Sequence, residues 1–231
     1  RFRDTVGTQR ASAVSFGDQL PMYRWCNMWK WHGDLQLELE GGVFALFNHT
    51  RPSSPLLNAD YYVGIPLSYA VGPYAFRLRL YHISSHLGDE LKSVHRHVHR
   101  RNKSFEAIDF FSSYFITNQI RVYGGLGIIC HSDSEMRLKP FYVQYGAEIR
   151  VARHNFTQLY GEPFLAMHFE NAETHNWNFD STFAIGYEWG KIQGFGRKLR
   201  AFIEYHEGYS PEGQFYKKRT DYLAFRLAYG F

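Results

Sequence analysis

The chain has 231 residues, of which 18% are aromatic and 21% charged, with a formal charge of +4. It has no run near the roughly 18 to 20 uninterrupted apolar residues of a membrane-spanning helix, no metal-ligand cysteine spacing, and no phosphate-binding or dinucleotide glycine motif. A helical membrane protein is therefore excluded, no nucleotide-binding fingerprint is present, and no nucleic-acid partner and no metal site are expected.

Taken in chain order, period-two hydrophobicity and turn residues predict strands over 10–23, 33–47, 58–70, 73–86, 104–116, 119–131, 139–152, 162–171, 177–190, 198–208 and 219–231. In the second, Leu35, Leu37, Leu39, Val43, Ala45 and Phe47 alternate with Gln36, Glu38, Glu40 and Gly42. Phe141, Val143, Tyr145, Ala147 and Ile149 do the same against Gln144, Gly146, Glu148 and Arg150. Trp177, Phe179, Phe183, Ile185, Tyr187 and Trp189 share a face opposite Asp180, Thr182, Gly186 and Glu188. The last row is Leu223, Phe225, Leu227, Tyr229 and Phe231, opposite Ala224, Arg226, Ala228 and Gly230.

Strands of a soluble sandwich also alternate, but they average about 5 to 6 residues, whereas these rows persist for the length of a bilayer crossing. Aromatic residues at the row ends match interfacial girdles. The expected fold is all-β: a transmembrane antiparallel β-barrel forming a single domain over 1–231. Such barrels have an even number of strands, so residues 1–5 are read as the tail of another strand. Twelve strands are expected, or ten if the first thirty residues lie in the periplasm. No basic n-region and apolar h-region begins at Arg1, so an export signal is expected to be absent from this sequence, and the localisation read from the pattern is the bacterial outer membrane.

Short connections at 71–73 and 117–119 are assigned to the periplasmic side, and the longer stretches 48–57, 87–103, 132–138, 172–176 and 209–218 to the outside. The charges on inward rows, including Arg77, Arg79, Arg121, Glu148, Arg150, Glu188, Arg200, Glu204 and Arg226, are expected to pair with one another and fill the lumen. Cys26 and Cys130 fall near opposite barrel ends and are expected to stay unpaired.

The strand over 73–86 carries candidate chemistry. Its apolar row Phe76, Leu78, Leu80 continues into His82, Ser84 and His86, so this polar trio faces lipid at the outer end. A serine hydroxyl is a weak nucleophile until a base takes its proton, and an i, i+2 pair on one strand face can bring the two together. Glu106, on the matching face of the next strand, is the group expected to orient His82, with Asp89 and Glu90 as its rivals for that role. Ser85, His86, Asp89 and Glu90 are auxiliary candidates, as oxyanion donors or, for the carboxylates, as ligands of a Ca²⁺ ion; no other cofactor is expected.

Here the chain resembles lipid A deacylases and outer-membrane phospholipases A, which carry a His-x-Ser-Asn pattern facing the leaflet whose lipid they cleave. His82-Ile83-Ser84-Ser85 matches the histidine and the serine, and Ser85 departs from the asparagine. Over nearly its whole length the chain is more similar to an uncharacterised family of bacterial outer-membrane proteins, through stretches such as Gly-Gly-Val-Phe-Ala-Leu-Phe, Asn-Ala-Asp-Tyr-Tyr-Val-Gly-Ile-Pro-Leu and Gly-Tyr-Ser-Pro-Glu-Gly-Gln-Phe-Tyr. That resemblance implies a barrel and no activity.

His95, Arg96, His97, His99, Arg100, Arg101 and Lys103 form a basic loop cluster, read as a solvated loop or as a site for lipopolysaccharide phosphates, with metal binding by the alternating histidines a third reading. Tyr205, Glu207, Tyr209, Ser210, Glu212 and Gln214 are read as a second outer rim. The function expected is an acyl-ester hydrolase acting on outer-leaflet lipid, either lipid A or phospholipid, working as monomer or homodimer. The alternatives are a non-enzymatic structural or binding barrel and a narrow channel.

Overall fold

Side chains that alternate in character along a chain can separate to two sides only in a pleated strand, and strands of this length can satisfy their backbone groups only in a common sheet. The computed structural model has that architecture. It describes every residue except 1, 5, 6, 51, 52, 89–102, 135, 194, 195 and 231, and the backbone alone over 2–4 and 7–9. The strands are β1 (Phe2–Asp4), β2 (Gly7–Gln9), β3 (Ala11–Met28), β4 (Gly33–Asn48), β5 (Leu56–Val71), β6 (Tyr74–Leu87), β7 (Lys103–Phe115), β8 (Ile120–Ser132), β9 (Phe141–Arg150), β10 (His154–Asn155), β11 (Leu159–Ala172), β12 (Phe179–Lys191), β13 (Lys198–Tyr209) and β14 (Arg219–Gly230).

All pair antiparallel in one sheet, ordered β2-β1-β14-β13-β12-β11-β9-β8-β7-β6-β5-β4-β3, with β10 on β11. The sheet curls so that its ends approach. β2 leads through Arg10 into β3, so the β1–β2 hairpin carries the chain from the edge at β14 round to the edge at β3. With β2 and β3 taken as one line and β10 set aside, the 14 strands reduce to twelve lines. Each predicted strand has its counterpart. The largest disagreement is in β3, predicted to stop at 23 but running to Met28, because register shifts between Pro21 and Tyr23 and between Trp25 and Met28 interrupt the alternation there.

The connections sort by end. β3 and β4, β5 and β6, β7 and β8, β9 and β11, and β12 and β13 are linked at one end, and β4 and β5, β6 and β7, β8 and β9, β11 and β12, and β13 and β14 at the other, called here the long-loop end. The tightest turn, between Val71 and Tyr74, puts Gly72 at φ +52°, a conformation that costs glycine little, and Pro73 supplies a fixed negative φ beside it.

Outward rows are apolar and uncovered: Phe16 is 84% exposed, Phe225 75% and Ile185 61%. Inward rows hold the charges, and most of these pair as expected; Arg77 instead lies over the Phe111 ring, 5.9 Å from its centroid. Asp109 accepts from Arg79, which also reaches Glu40 at 3.3 Å. Glu148 receives Arg121 at 2.6 Å and Arg150 at 3.1 Å. Glu204 receives Arg226 at 2.6 Å. Glu188, 1% exposed, lies within 2.5 Å of Lys198, 2.6 Å of Arg200 and 3.7 Å of Arg150. Both cysteines are exposed and free. Among the described residues no helix is long and apolar enough to cross a membrane, which says nothing about strands.

Candidate functional site

Antiparallel pairing of β6 with β7 sets His82 opposite Glu106 and Ser84 opposite Ser104. Directly opposed side chains in an antiparallel pair lie about 4.5 to 5.5 Å apart at Cβ, close enough for imidazole and carboxylate to meet. They do meet: His82 Nδ1 is 2.7 Å from Glu106 Oε1. A carboxylate only accepts, so Nδ1 carries the proton in this contact and Nε2 is left as the basic nitrogen. Ser84 is the next outward residue of β6, about 6.7 Å farther along by strand rise. No hydrogen bond joins Ser84 to His82 among the described residues; in free enzymes such contacts are often long and tighten only around substrate.

A second imidazole completes the arrangement. His131 Nδ1 lies 2.7 Å from the other oxygen of Glu106, so one carboxylate is shared by two histidines. His131 was missed because strict alternation along β8 places it on the inward row. The register shifts between Glu106 and Ala107, which pair with His131 and Ile129, and the extra residue, Cys130, rotates His131 outward. Beside it Ser104 Oγ donates to Asp133 Oδ2 at 2.7 Å, while Tyr61, across from Ser84 on β5, packs edge-on against His86 with ring centroids 5.6 Å apart. Neither Asp133 nor Ser104 carried a sequence signal, since the polar end of any strand has such residues.

Two auxiliary assignments are corrected. Ser85 faces inward, is 1% exposed, and its hydroxyl is engaged by Asp60 and by Asn58 Oδ1, so it cannot serve an oxyanion beside Ser84. Alternation explains this, since consecutive residues point to opposite faces. Lys103, read as a phosphate contact, is also buried. Its ammonium donates to the carbonyls of Gly213 at 3.2 Å and Gln214 at 2.5 Å, over the Tyr216 ring. His86 does lie on the outward row. Asp89, Glu90, His95, Arg96, His97, His99, Arg100 and Arg101 lie outside the described residues.

The partners of Lys103 belong to loop 210–218, part of the predicted outer rim, which instead folds across the mouth of the sheet. Gly213 N–H donates to Asp60 at 3.1 Å, Gln214 N–H to Asn58 at 3.2 Å, and the Gln214 amide to the Ser85 carbonyl at 2.6 Å. His175 holds the Tyr216 carbonyl and His206 that of Tyr209, at 2.8 and 3.0 Å. Ser210 and Gln214 are accordingly buried, whereas Tyr205 and Glu207 remain exposed. Gly213 packs closely at the tip: a Cβ there would sit 2.7 Å from Ser85 Oγ, so Ser85 or the loop would have to shift. Among the described residues no group of three or more His, Cys, Asp and Glu side chains is arranged to hold a metal ion.

Comparison with known proteins places the chain in one family. It belongs to the family described as "Protein of unknown function (DUF1207)", which matches over residues 1–231. No curated protein and no solved structure matches it.

Proposed function

We propose that this member of an uncharacterised family is an outer-membrane barrel that hydrolyses an acyl ester of an outer-leaflet lipid. The observation that carries the reading is the contact of Glu106 with His82 Nδ1, which leaves Nε2 as the base on the same outward row as Ser84. Ser84 Oγ would attack the ester carbonyl while its proton passes to His82 Nε2. Expulsion of the lipid alkoxide returns that proton, and water repeats the two steps on the acyl-serine. Glu106 positions the imidazole, and His131 holds Glu106.

The outward face supports this location. Its apolar rows end in ring clusters, Tyr74 stacked on Tyr114 at 4.8 Å near the short-turn end and Phe169 tilted against Phe179 at 5.1 Å near the long-loop end. Such rings favour the headgroup levels of a bilayer. With the long loops outside, His82 and Ser84 stand at the outer-leaflet ester level. If this face meets lipid, Ile185→Arg lowers stability in vesicles by about 2 to 4 kcal/mol, and the inward-row control Ala224→Ser changes it much less. Equal effects on denaturant midpoints would refute the assignment.

Lipid extracts from cells producing the wild type, Ser84→Ala and His82→Ala, compared by mass spectrometry with and without Ca²⁺, test the activity. Loss of one acyl chain in the wild type alone supports it and identifies the lipid; three identical profiles overturn it. A second reading, a barrel whose polar patch binds headgroups without cleaving them, is favoured by the unjoined Ser84 and His82. It predicts unchanged lipid profiles and vesicle binding that weakens in Glu106→Gln.

The channel reading is opposed by loop 210–218 and the paired lumen. The unaltered protein should therefore show little steady conductance in planar bilayers. Gly213→Val, which drives a branched side chain against Ser85 and Asp60, should raise it by unseating the loop. Large currents from the wild type would restore the channel.

A further inference from the structure

In an antiparallel sheet neighbouring strands run in opposite directions, so two strands running the same way can be joined only through a third between them. β3 and β14 run the same way, both from the long-loop end toward the short-turn end. Among the described residues only β1 stands between them, pairing with β14 at Phe2↔Tyr222 and Arg3↔Asp221 and with β2 over three positions. Below β1 the facing edges, β3 on one side and residues 224–230 on the other, have no strand partner in the sheet order among the described residues. They flank a cavity of about 910 Å³, lined on its edges by Ala13, Gly17, Ala224 and Ala228 and farther in by Phe44 and Phe202. Arg197 crosses the gap to Asp18 at 3.1 Å.

We propose that this seam is a slot for one extended polypeptide strand continuing the line of β1 in the N-terminal direction, antiparallel to both edges. Continuing the two registers of Phe2 shows how it fits. The position two before Phe2 falls between Ala224 and Ala11, the sixth between Ala228 and Ser15, and the eighth between Gly230 and Gly17, all small residues on the inward side. The fifth and seventh fall outward, between Leu227 and Val14 and between Tyr229 and Phe16, all strongly exposed apolar residues. The occupant is therefore a strand of alternating character, apolar outward and small or polar inward, with the fourth position between Arg226 and Ala13 suited to a hydrogen-bonding side chain. Gly230 and Gly17 come level in this register, and Arg197, which precedes the partner of Gly230, meets Asp18, the neighbour of Gly17. The two edges are thus already aligned for a single intervening strand.

Hydrogen exchange read by mass spectrometry over segments 11–19 and 224–230 tests this in detergent-refolded chains. One chain is unaltered; a second carries a designed strand of about eight residues, Leu and Ala alternating, fused directly ahead of Arg1 with Ala on the inward positions. A third has one extra residue between the designed strand and Arg1, which turns every side chain to the wrong face. Heat-modifiable gel mobility shows that each is folded. The in-phase chain should slow exchange in both segments by roughly tenfold or more, and the shifted chain should not. Equal exchange in the two fused chains, or slow exchange of both segments in the unaltered chain, would overturn the proposal.

Discussion

Ser84→Ala should lower acyl-ester hydrolysis by at least about 10³-fold while leaving the fold intact, since removal of a nucleophile whose partners act as a unit abolishes nearly all of their combined effect. That factor corresponds to about 4 kcal/mol of transition-state stabilisation. Ser84 is half-buried, makes no hydrogen bond among the described residues, and loses only a hydroxyl, so its stability should stay within about 0.5 kcal/mol of wild type. Glu106→Gln is the sharper test. An amide in place of the carboxylate can offer its NH₂ to His82 Nδ1, stabilising the wrong tautomer, and a loss of roughly 10⁴-fold follows where such a swap occurs in a triad. His131→Ala should cost less, because Glu106 keeps its contact with His82. If Ser84→Ala retained wild-type turnover on purified lipid, Ser84 would not be the nucleophile. If Glu106→Gln were as active as wild type, the His82–Glu106 contact would be a surface pair without catalytic consequence.

Glu188→Ala should destabilise the barrel by about 3 to 5 kcal/mol, the cost of leaving buried charge without its partner. From alternation alone, a lumen substitution at Glu188 would be expected to matter less than one on the outward face. The burial and pairing of Glu188 predict a cost of comparable size instead. Glu188 is fully buried and is the shared anion of Lys198 and Arg200, so its loss leaves these two cations of β13 facing each other without an anion, while Arg150 keeps Glu148. Adding Arg200→Gln to Glu188→Gln should recover part of the loss, because it removes one of the stranded charges, and the non-additivity of the pair measures their coupling. Urea midpoints in lipid vesicles provide the measurement. A shift under 0.5 kcal/mol for Glu188→Ala would mean that water reaches this network and screens it.

Strand number, strand direction, the facing of most side chains and the sorting of loops by end were determined by the sequence alone. These properties are local: a period of two, a turn such as Val71-Gly72-Pro73-Tyr74 and a polar stretch are each visible within a few residues. The opposition of His82 and Glu106 was also within reach, because β6 and β7 are consecutive strands with a common facing. Three features were decided only by tertiary structure. The irregular step at Cys130 turns His131 onto Glu106, and period-two reasoning cannot see such a step because it assumes an unbroken phase. Loop 210–218 is polar, as an exposed rim would be, yet it folds inward because Asp60, Asn58 and Lys103, on strands distant in sequence, offer its backbone the partners that water would otherwise supply. The seam between β3 and β14 follows from closing the sheet on itself, where the relative direction of its two edges first matters, and no local pattern records which residues will meet there.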